Sequence, residues 1–428
     1  MSTPGESRPL PRRIRWDGED AATMAAGLRG QVSEPASVAP TVTDVIAQIR
    51  ARGDDAVREL SRRYDTYATE RIAVPRSEPG RALSALDPSV AEALELAAAN
   101  IRAVAEAQIA TEPTTVELPQ GHGVTVREVA VGRAAVYAPG GRAAYPSSVL
   151  MAAIPALAAG VGQVAVTSPP SESGLPHPVV LAACAIAGIE EVYAMGGAQA
   201  IAALALGTET VPAVDVIAGP GNRFVTEAKR QLVGQVGIDG IAGPSELLTV
   251  LTGGAEARLA ALDLAAQAEH GPDSLLVAAS DDASLLDEVA DHLTGFDRPS
   301  ITGAPTLLVE VPDIGAALDL ANALAPEHLQ LMGAAAEARA VEATTAGCVF
   351  AGNCSGTAFG DYAAGSNHVL PTGGAARFSG PLGPGTFRRR QSVVSLPGSA
   401  ARALAPIVGT LARAEGLPVH GESAEERS

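Results

Sequence analysis

Apolar positions recur along this chain with two different periods, and the change of period divides it. Over 43–64 the apolar residues Val45, Ile46, Ile49, Val57 and Leu60 fall on one side of a 3.6-residue repeat, which predicts an amphipathic helix. Residues 82–109 predict a second helical stretch. Within 113–131, short apolar runs flank Gln120-Gly121-His122-Gly123, a turn composition, and predict a pair of strands. His122 reads there as a turn residue. Residues 1 to about 13 carry no such pattern and are expected to be disordered.

From Ala134 short continuous apolar runs alternate with helical segments. AAVY, QVAVTS, VYAMG and VDVIAG predict strands, followed by helices at 147–159, 178–187, 198–206 and about 223–233. Strict alternation of strand and helix is the pattern of a parallel, doubly wound sheet, because parallel neighbours need a long crossover. A second series repeats the design. ELLTVL, SLLVAA, TLLVEV, HLQLM and CVFAG predict strands, with helices at 256–270, 282–293, 314–324 and near 334–345. The two series join near 241–245. Residues 373–390, rich in Gly, Pro and Arg, predict a linker, 399–415 one more helix, and the rest a polar tail. One helix and a tail cannot bury a core alone, so they must dock on another surface. The expected fold is α/β, with two Rossmann-like doubly wound modules and a small helical C-terminal extension. The expected units are an arm at 1–30, one domain from 31–133 with 246–378, another at 134–245, and the extension at 379–428.

Composition narrows the function. With 428 residues, 47% hydrophobic and 18% charged, the chain reads as a globular protein. A formal net charge of −18 argues against nucleic-acid binding. The sole lysine, Lys229, excludes a phosphate-binding P-loop and disfavours Schiff-base chemistry. Cys184, Cys348 and Cys354 give no disulfide framework, which points to a reducing, cytoplasmic location. The start, MSTPGESRPLPRR, lacks the apolar core of a signal peptide. The longest apolar run, 149–166, is broken by Pro155, glycines and Gln163, so no membrane span is expected.

Candidate chemistry lies at the ends of predicted elements. Ligands of open parallel sheets bind beyond the carboxyl ends of the strands. In the first series those positions hold Tyr137, Gln199 and Asn222, in VYAPGG, MGGAQA and AGPGN. GPGNRF lacks the third glycine of the dinucleotide fingerprint, so a nucleotide and plain tight turns both remain open. In the second series Gln267 and His270, three apart, share one face of a predicted helix, with Asp263 as a supporting residue. Glu327-His328, in a predicted loop, form a candidate acid–base pair. The stretch 360–372, GDYAAGSNHVLPT, has no apolar period and reads as an ordered loop carrying Asp361 and His368. Gln267, His270, Asp361 and His420 together would make a mixed nitrogen and oxygen site that suits zinc.

These motifs resemble the histidinol dehydrogenase family. The resemblance rests on VYAPGG with YPSSVLM, GGAQAIAALA, GPGN, AGPSE, QAEHGPDS, APEHLQL, GDYAAGSNHVLPT and AEGLPVH, in this order from about 130 to 420. It implies one zinc per subunit on Gln267, His270, Asp361 and His420. It implies catalysis by Glu327 and His328, and NAD+ contacts at Tyr137, Gln199 and Asn222. Substrate contacts would fall on Ser245, His368 and Glu415, besides Gln267, His270, Glu327, His328, Asp361 and His420. The domain 134–245 would then bind NAD+, and 31–133 with 246–378 would carry the metal and the catalytic residues. The implied activity is oxidation of L-histidinol to L-histidine with two NAD+, in a homodimer whose C-terminal residues enter the partner's site. A related dehydrogenase for another hydroxy substrate, such as a sulfopropanediol, and a zinc hydrolase are the alternatives. The chain departs from the family at Val104-Ala105, where a Phe-His pair is frequent.

Overall fold

The computed structural model describes residues 10–32, 37–109, 112–140, 143–296, 301 and 303–427. Strand β1 (Arg12–Arg15) and helix α1 (Ala21–Arg29) come first, followed by α2 (Ala39–Tyr64), α3 (Ser77–Ser84) and α4 (Pro88–Ala107). The expectation of disorder up to residue 13 is corrected for residues 10–13. Arg12–Arg15 pairs in parallel with a strand of the second sheet, which satisfies its backbone groups. Residues 1–9 lie outside the described residues. Helix α2 buries Val45, Ile46, Ile49, Val57 and Leu60, as its apolar period requires. The stretch 82–109 is two helices, not one. Asp87 caps α4 by accepting the Ser89 N–H, and Pro88 occupies the first turn, where its missing N–H costs nothing.

Next come β2 (Thr114–Glu117) and β3 (Gly123–Ala130), an antiparallel pair as predicted. The first parallel module then runs β4 (Arg133–Tyr137), α5 (Pro146–Ala158), β5 (Gln163–Ser168), α6 (Pro178–Ala187), β6 (Glu191–Ala194), α7 (Gly197–Leu206), β7 (Val216–Ala218), α8 (Arg223–Leu232) and β8 (Gly237–Ile238). Its sheet has the order β6-β5-β4-β7-β8 and is parallel throughout, so the winding reverses between β4 and β7. Successive residues of β4 feed opposite faces: Ala134 and Val136 enter one apolar core, Ala135 and Tyr137 the other. Helices α3 and α4 close the first core and α2 the second. Residues 37–107 therefore share a core with 134–236, whereas the sequence grouped them with 246–378.

The second module runs β9 (Glu246–Leu251), α9 (Ala257–Gln267), β10 (Leu275–Ser280), α10 (Ala283–Gly295), β11 (Thr306–Glu310), α11 (Ile314–Leu324), β12 (His328–Met332), α12 (Ala334–Glu337), β13 (Cys348–Ala351) and α13 (Thr357–Tyr362). Its sheet, order β1-β11-β10-β9-β12-β13, is also parallel throughout. The helix expected near 334–345 is only α12 and a 3-10 turn at Ala340–Glu342. The helix expected to reach residue 270 stops at Gln267, so His270 lies beyond it.

The chain ends with β14 (Arg388–Ser395), α14 (Gly398–Ala414) and α15 (Pro418–Glu425). The expected linker at 373–390 is anchored structure. Phe387 is fully buried in the first module's core with Leu382 beside it, and β14 pairs antiparallel with β3 along eight residues. Burying one phenylalanine side chain contributes roughly 1.5–3 kcal/mol, enough to hold a Gly/Pro-rich segment in place. The polar tail is helical: α15 packs on α14, with the Gly421 backbone against Gly409. The pair leaves Ile407, Leu411, Leu417 and Val419 exposed.

Candidate active site

The second sheet gathers its chemistry at the amino ends of its strands. Glu246 opens β9, His328 opens β12, and α9, running back across the sheet, ends there with Gln267. The carboxyl-end rule that locates Tyr137, Gln199 and Asn222 does not locate this site. His328 is the first residue of β12, as the predicted strand HLQLM places it, and Glu327 ends the loop before it. Glu327 and His328 are both buried, at 7% and 3% exposure. The Glu246 N–H donates to Glu327 Oε2 at 2.9 Å, and His328 Nδ1 donates to the Glu246 carbonyl at 3.2 Å. With Nδ1 carrying that proton, His328 Nε2 is the basic atom. It has no hydrogen-bond partner and points toward Asp361, 3.6 Å from Oδ1. The Phe350 ring lies over the imidazole at a centroid distance of 5.9 Å and an interplanar angle of 29°.

Charge in this pocket is finely opposed. Burial works against a charged His328, but the Glu327 and Asp361 carboxylates outweigh it and push the imidazole up to about 10. Burial likewise works against a charged Asp361, and His328, 3.6 Å away, holds that carboxyl below its usual range. Asp361 is the last residue but one of α13, so the stretch 360–372 begins as helix and becomes loop only after Tyr362.

That loop is clamped to the first module. Asn100 Nδ2 on α4 donates to the Ala363 carbonyl at 2.8 Å, and Asn367 Nδ2 donates to the Met151 carbonyl on α5 at 2.6 Å. Gly365, at φ +92°, passes so close to α4 that a Cβ would lie 2.9 Å from the Asn100 carbonyl oxygen. His368 Nδ1 donates to the Asp361 carbonyl at 2.9 Å, leaving Nε2 3.3 Å from Ser148 Oγ on α5. Burial lowers the His368 imidazolium. Asp361 and His368 thus stand at the seam between the two modules.

The residue types can hold a metal. Gln267 is 1% exposed and its amide Nε2 has no partner. Amide oxygen and nitrogen are assigned by their contacts, so turning the amide over presents its oxygen instead. Helix α13, with Asp361, packs on α9, with Gln267, and the charge of His270 acts on Asp361. One amide oxygen, one imidazole and one carboxylate suit zinc and are one ligand short of a closed tetrahedral set. Among the described residues no group of three or more His, Cys, Asp or Glu is placed to hold a metal ion. Glu415 and His420 are exposed at the α14–α15 hairpin, and among the described residues neither is hydrogen-bonded or ion-paired to the other candidates. Asp263 does not support Gln267: it accepts from Gln330 Nε2 at 2.6 Å. Ser245, half-buried just before β9, accepts the Leu275 N–H at 2.9 Å through its carbonyl.

Tyr137, Gln199 and Asn222 line one cleft of about 590 Å³ in the first module, with Tyr64, Asp65 and Phe224. It lies at the switch between β4 and β7. Asn222 caps α8 by accepting the Phe224 and Val225 N–H groups. The Tyr137 hydroxyl accepts the Gly197 N–H at 3.1 Å. Gly219 has φ +113°, and a Cβ there would lie 2.2 Å from the Tyr137 carbonyl oxygen, so only glycine lets this turn pass β4. The cleft wall at Ala144 leads directly to α5, whose Ser148 meets His368. Sequence reasoning missed Glu246, Arg29 and Asp65. Glu246 had a readable signal, an acid opening an otherwise apolar strand; Arg29 had none.

Fold and site together describe an α/β enzyme with a buried Glu-His pair in one doubly wound module and an open cleft in the other. The family model described as Histidinol dehydrogenase matches residues 28–428, and the chain belongs to that family. It is 44% identical over 405 residues to the histidinol dehydrogenase of Pseudomonas aeruginosa, covering 91% of each chain. It is 42% identical to that of Parasynechococcus marenigrum, covering 99% of each. A crystal structure of histidinol dehydrogenase from Elizabethkingia anophelis superposes with a TM-score of 0.91 at 29% identity, covering 99% of this chain and 98% of that one.

Proposed function

We propose that this enzyme oxidises L-histidinol to L-histidine through L-histidinaldehyde, a four-electron oxidation with two NAD+ as hydride acceptors, in histidine biosynthesis. The observation that carries the reading is His328 Nε2, a buried ring nitrogen without a partner, facing Asp361 and flanked by Glu327. A base so placed can take the hydroxyl proton of an alcohol as its hydride departs. Glu327, held through Oε2 by the Glu246 N–H, can turn its other oxygen to the water that hydrates the aldehyde. The hydrate is again an alcohol-like group, so His328 can serve both oxidations.

The three donors Gln267, His270 and Asp361 would hold a zinc ion, with His420 of a second copy as the fourth ligand. Bound there, zinc would supply a Lewis acid that anchors the substrate's imidazole and amine. A cation on Asp361 would also cancel part of the negative field on His328 and return it toward the neutral base. Tyr137, Gln199 and Asn222 would contact NAD+ in the first module's cleft. Ser245, His368 and Glu415 would contact the substrate. Glu415 and His420 sit on a hairpin whose apolar residues are open, which supports a homodimer with exchanged C-terminal segments. Domain 134–245 would bind the cofactor, and 246–378 would supply the metal and the catalytic pair.

Among the described residues no helix is long and apolar enough to cross a membrane. We read the location as cytoplasmic, in keeping with a biosynthetic enzyme. The test is NADH formation on adding L-histidinol: two equivalents per histidine support the reading. A sulfopropanediol oxidised in its place would favour a related dehydrogenase, and turnover without nucleotide would favour a zinc hydrolase.

A further inference from the structure

Glu246 is the point where three segments of the chain meet the acid–base pair. It is 4% exposed. Its N–H and C=O hold Glu327 and His328, as described, and its carboxylate Oε2 also accepts the Glu327 N–H at 3.3 Å. Its other oxygen accepts the Gly373 N–H at 3.2 Å, just beyond the loop that carries His368. A buried carboxylate needs a counter-charge. Arg29, the last residue of α1, supplies it: Nη1 donates to Oε1, and Nη2 to Oε2 at 3.3 Å. Arg29 Nη2 also donates to the Leu324 carbonyl, at the end of α11, three residues before Glu327. Burial, opposed by Arg29, pushes the Glu246 carboxyl up, and the neighbouring Glu327 charge adds to the push.

We propose that Arg29 and Glu246 are positioning residues: their ion pair holds the Glu327 carboxylate in the orientation that activates water, and so couples the N-terminal arm to the second oxidation. The proposal rests on the acid–base reading of Glu327 and His328. The two catalytic residues are tied to Glu246 differently. Both side chains are held by the Glu246 backbone, His328 by its carbonyl and Glu327 by its N–H, and any side-chain variant keeps these bonds; only Glu327 is also held, through its own N–H, by the Glu246 side chain. The segment of Glu327 is held by the Glu246 carboxylate and, through Leu324, by Arg29. Without Arg29 the buried Glu246 carboxyl loses its counter-charge beside a second carboxylate, so it takes up a proton or shifts, and either change alters its hold on the Glu327 segment. The loss therefore falls on the step that uses Glu327.

The experiment compares Arg29→Met, Arg29→Lys, Glu246→Gln and Glu327→Gln in the full-length enzyme. Each is assayed with L-histidinaldehyde and NAD+, and by first-turnover NADH formation from L-histidinol, with Tm recorded. Arg29→Met and Glu246→Gln should lower kcat for the aldehyde by about 10²-fold, the scale of a small misplacement of a catalytic group. KM for NAD+ should stay unchanged, the histidinol turnover should fall much less, and Arg29→Lys should recover part of the aldehyde rate. Equal loss in both steps, or a loss that follows Tm with Lys no better than Met, assigns the pair a purely structural role and overturns the proposal. A normal aldehyde rate in Arg29→Met and Glu246→Gln, beside a deficient Glu327→Gln, overturns it alone. A normal aldehyde rate in Glu327→Gln overturns the acid–base reading and this proposal with it.

Discussion

Lys229 Nζ lies 2.6 Å from Asp239 Oδ1, with both side chains almost fully buried. The same ammonium donates to the Gly219 carbonyl at 2.6 Å, and Asp239 Oδ2 accepts the Gly219 N–H at 2.7 Å. The chain's single lysine thus fastens the turn that leads to Asn222 in the cleft. Lys229→Met should destabilise the protein by about 3–5 kcal/mol, because it leaves a buried carboxylate unpaired. It should also raise KM for NAD+. Adding Asp239→Asn should recover part of the loss, since it removes the stranded charge. Urea unfolding of the two variants checks this. A single variant as stable as the unaltered protein would refute the role.

Phe387 should anchor the segment between the second module and the C-terminal hairpin. Phe387→Ala should cost about 3–5 kcal/mol, as for other fully buried aromatic residues. Protease cleavage between residues 373 and 398 should then precede global unfolding. Unchanged cleavage kinetics would mean that β14 holds the segment unaided.

Chelation should remove metal and activity together, since Gln267, His270, Asp361 and His420 include one anionic ligand and a neutral amide. Elemental analysis against residual NADH formation is the measurement. Full activity in a metal-free preparation speaks against the assigned donors.

His328→Asn and Glu327→Gln should differ in kind. The histidine variant should slow both oxidations by about 10²–10⁴-fold, the usual range for an acid–base group. The glutamine variant should slow mainly the aldehyde step, because only that step consumes water. Assays begun from L-histidinol and from L-histidinaldehyde separate the two. Matching losses for Glu327→Gln in both assays contradict the division of labour.

A His270→Ala chain and a His420→Ala chain, each inactive alone, should regain activity when mixed. In a heterodimer with exchanged hairpins, one of its two sites keeps all four ligands. Recovery should approach half of the normal rate per heterodimer. Heterodimers that form without recovery would place His420 in its own subunit's site.

The sequence by itself determined the central strands and most of the crossover helices of both modules. A buried parallel strand must be apolar on both faces, so β4 to β7 and β9 to β13 stood out as continuous apolar runs between helices. The candidate site residues stood out where chemistry interrupts such patterns: Glu327-His328 at the head of an apolar strand, and Asp361 and His368 in a stretch with no period. Tertiary structure decided the rest, since neither period nor composition encodes which surfaces meet. It placed Glu327 and His328 at the amino ends of the second sheet, because α9 and the α11–β12 loop end there. It assigned α2, α3 and α4 to the first module's cores. It turned a Gly/Pro-rich stretch into anchored structure through the burial of Phe387 and the edge that β3 offers β14. It brought Arg29 to Glu246 across 217 residues of chain, a pairing set by the strand β1 and the packing of α1 on α11.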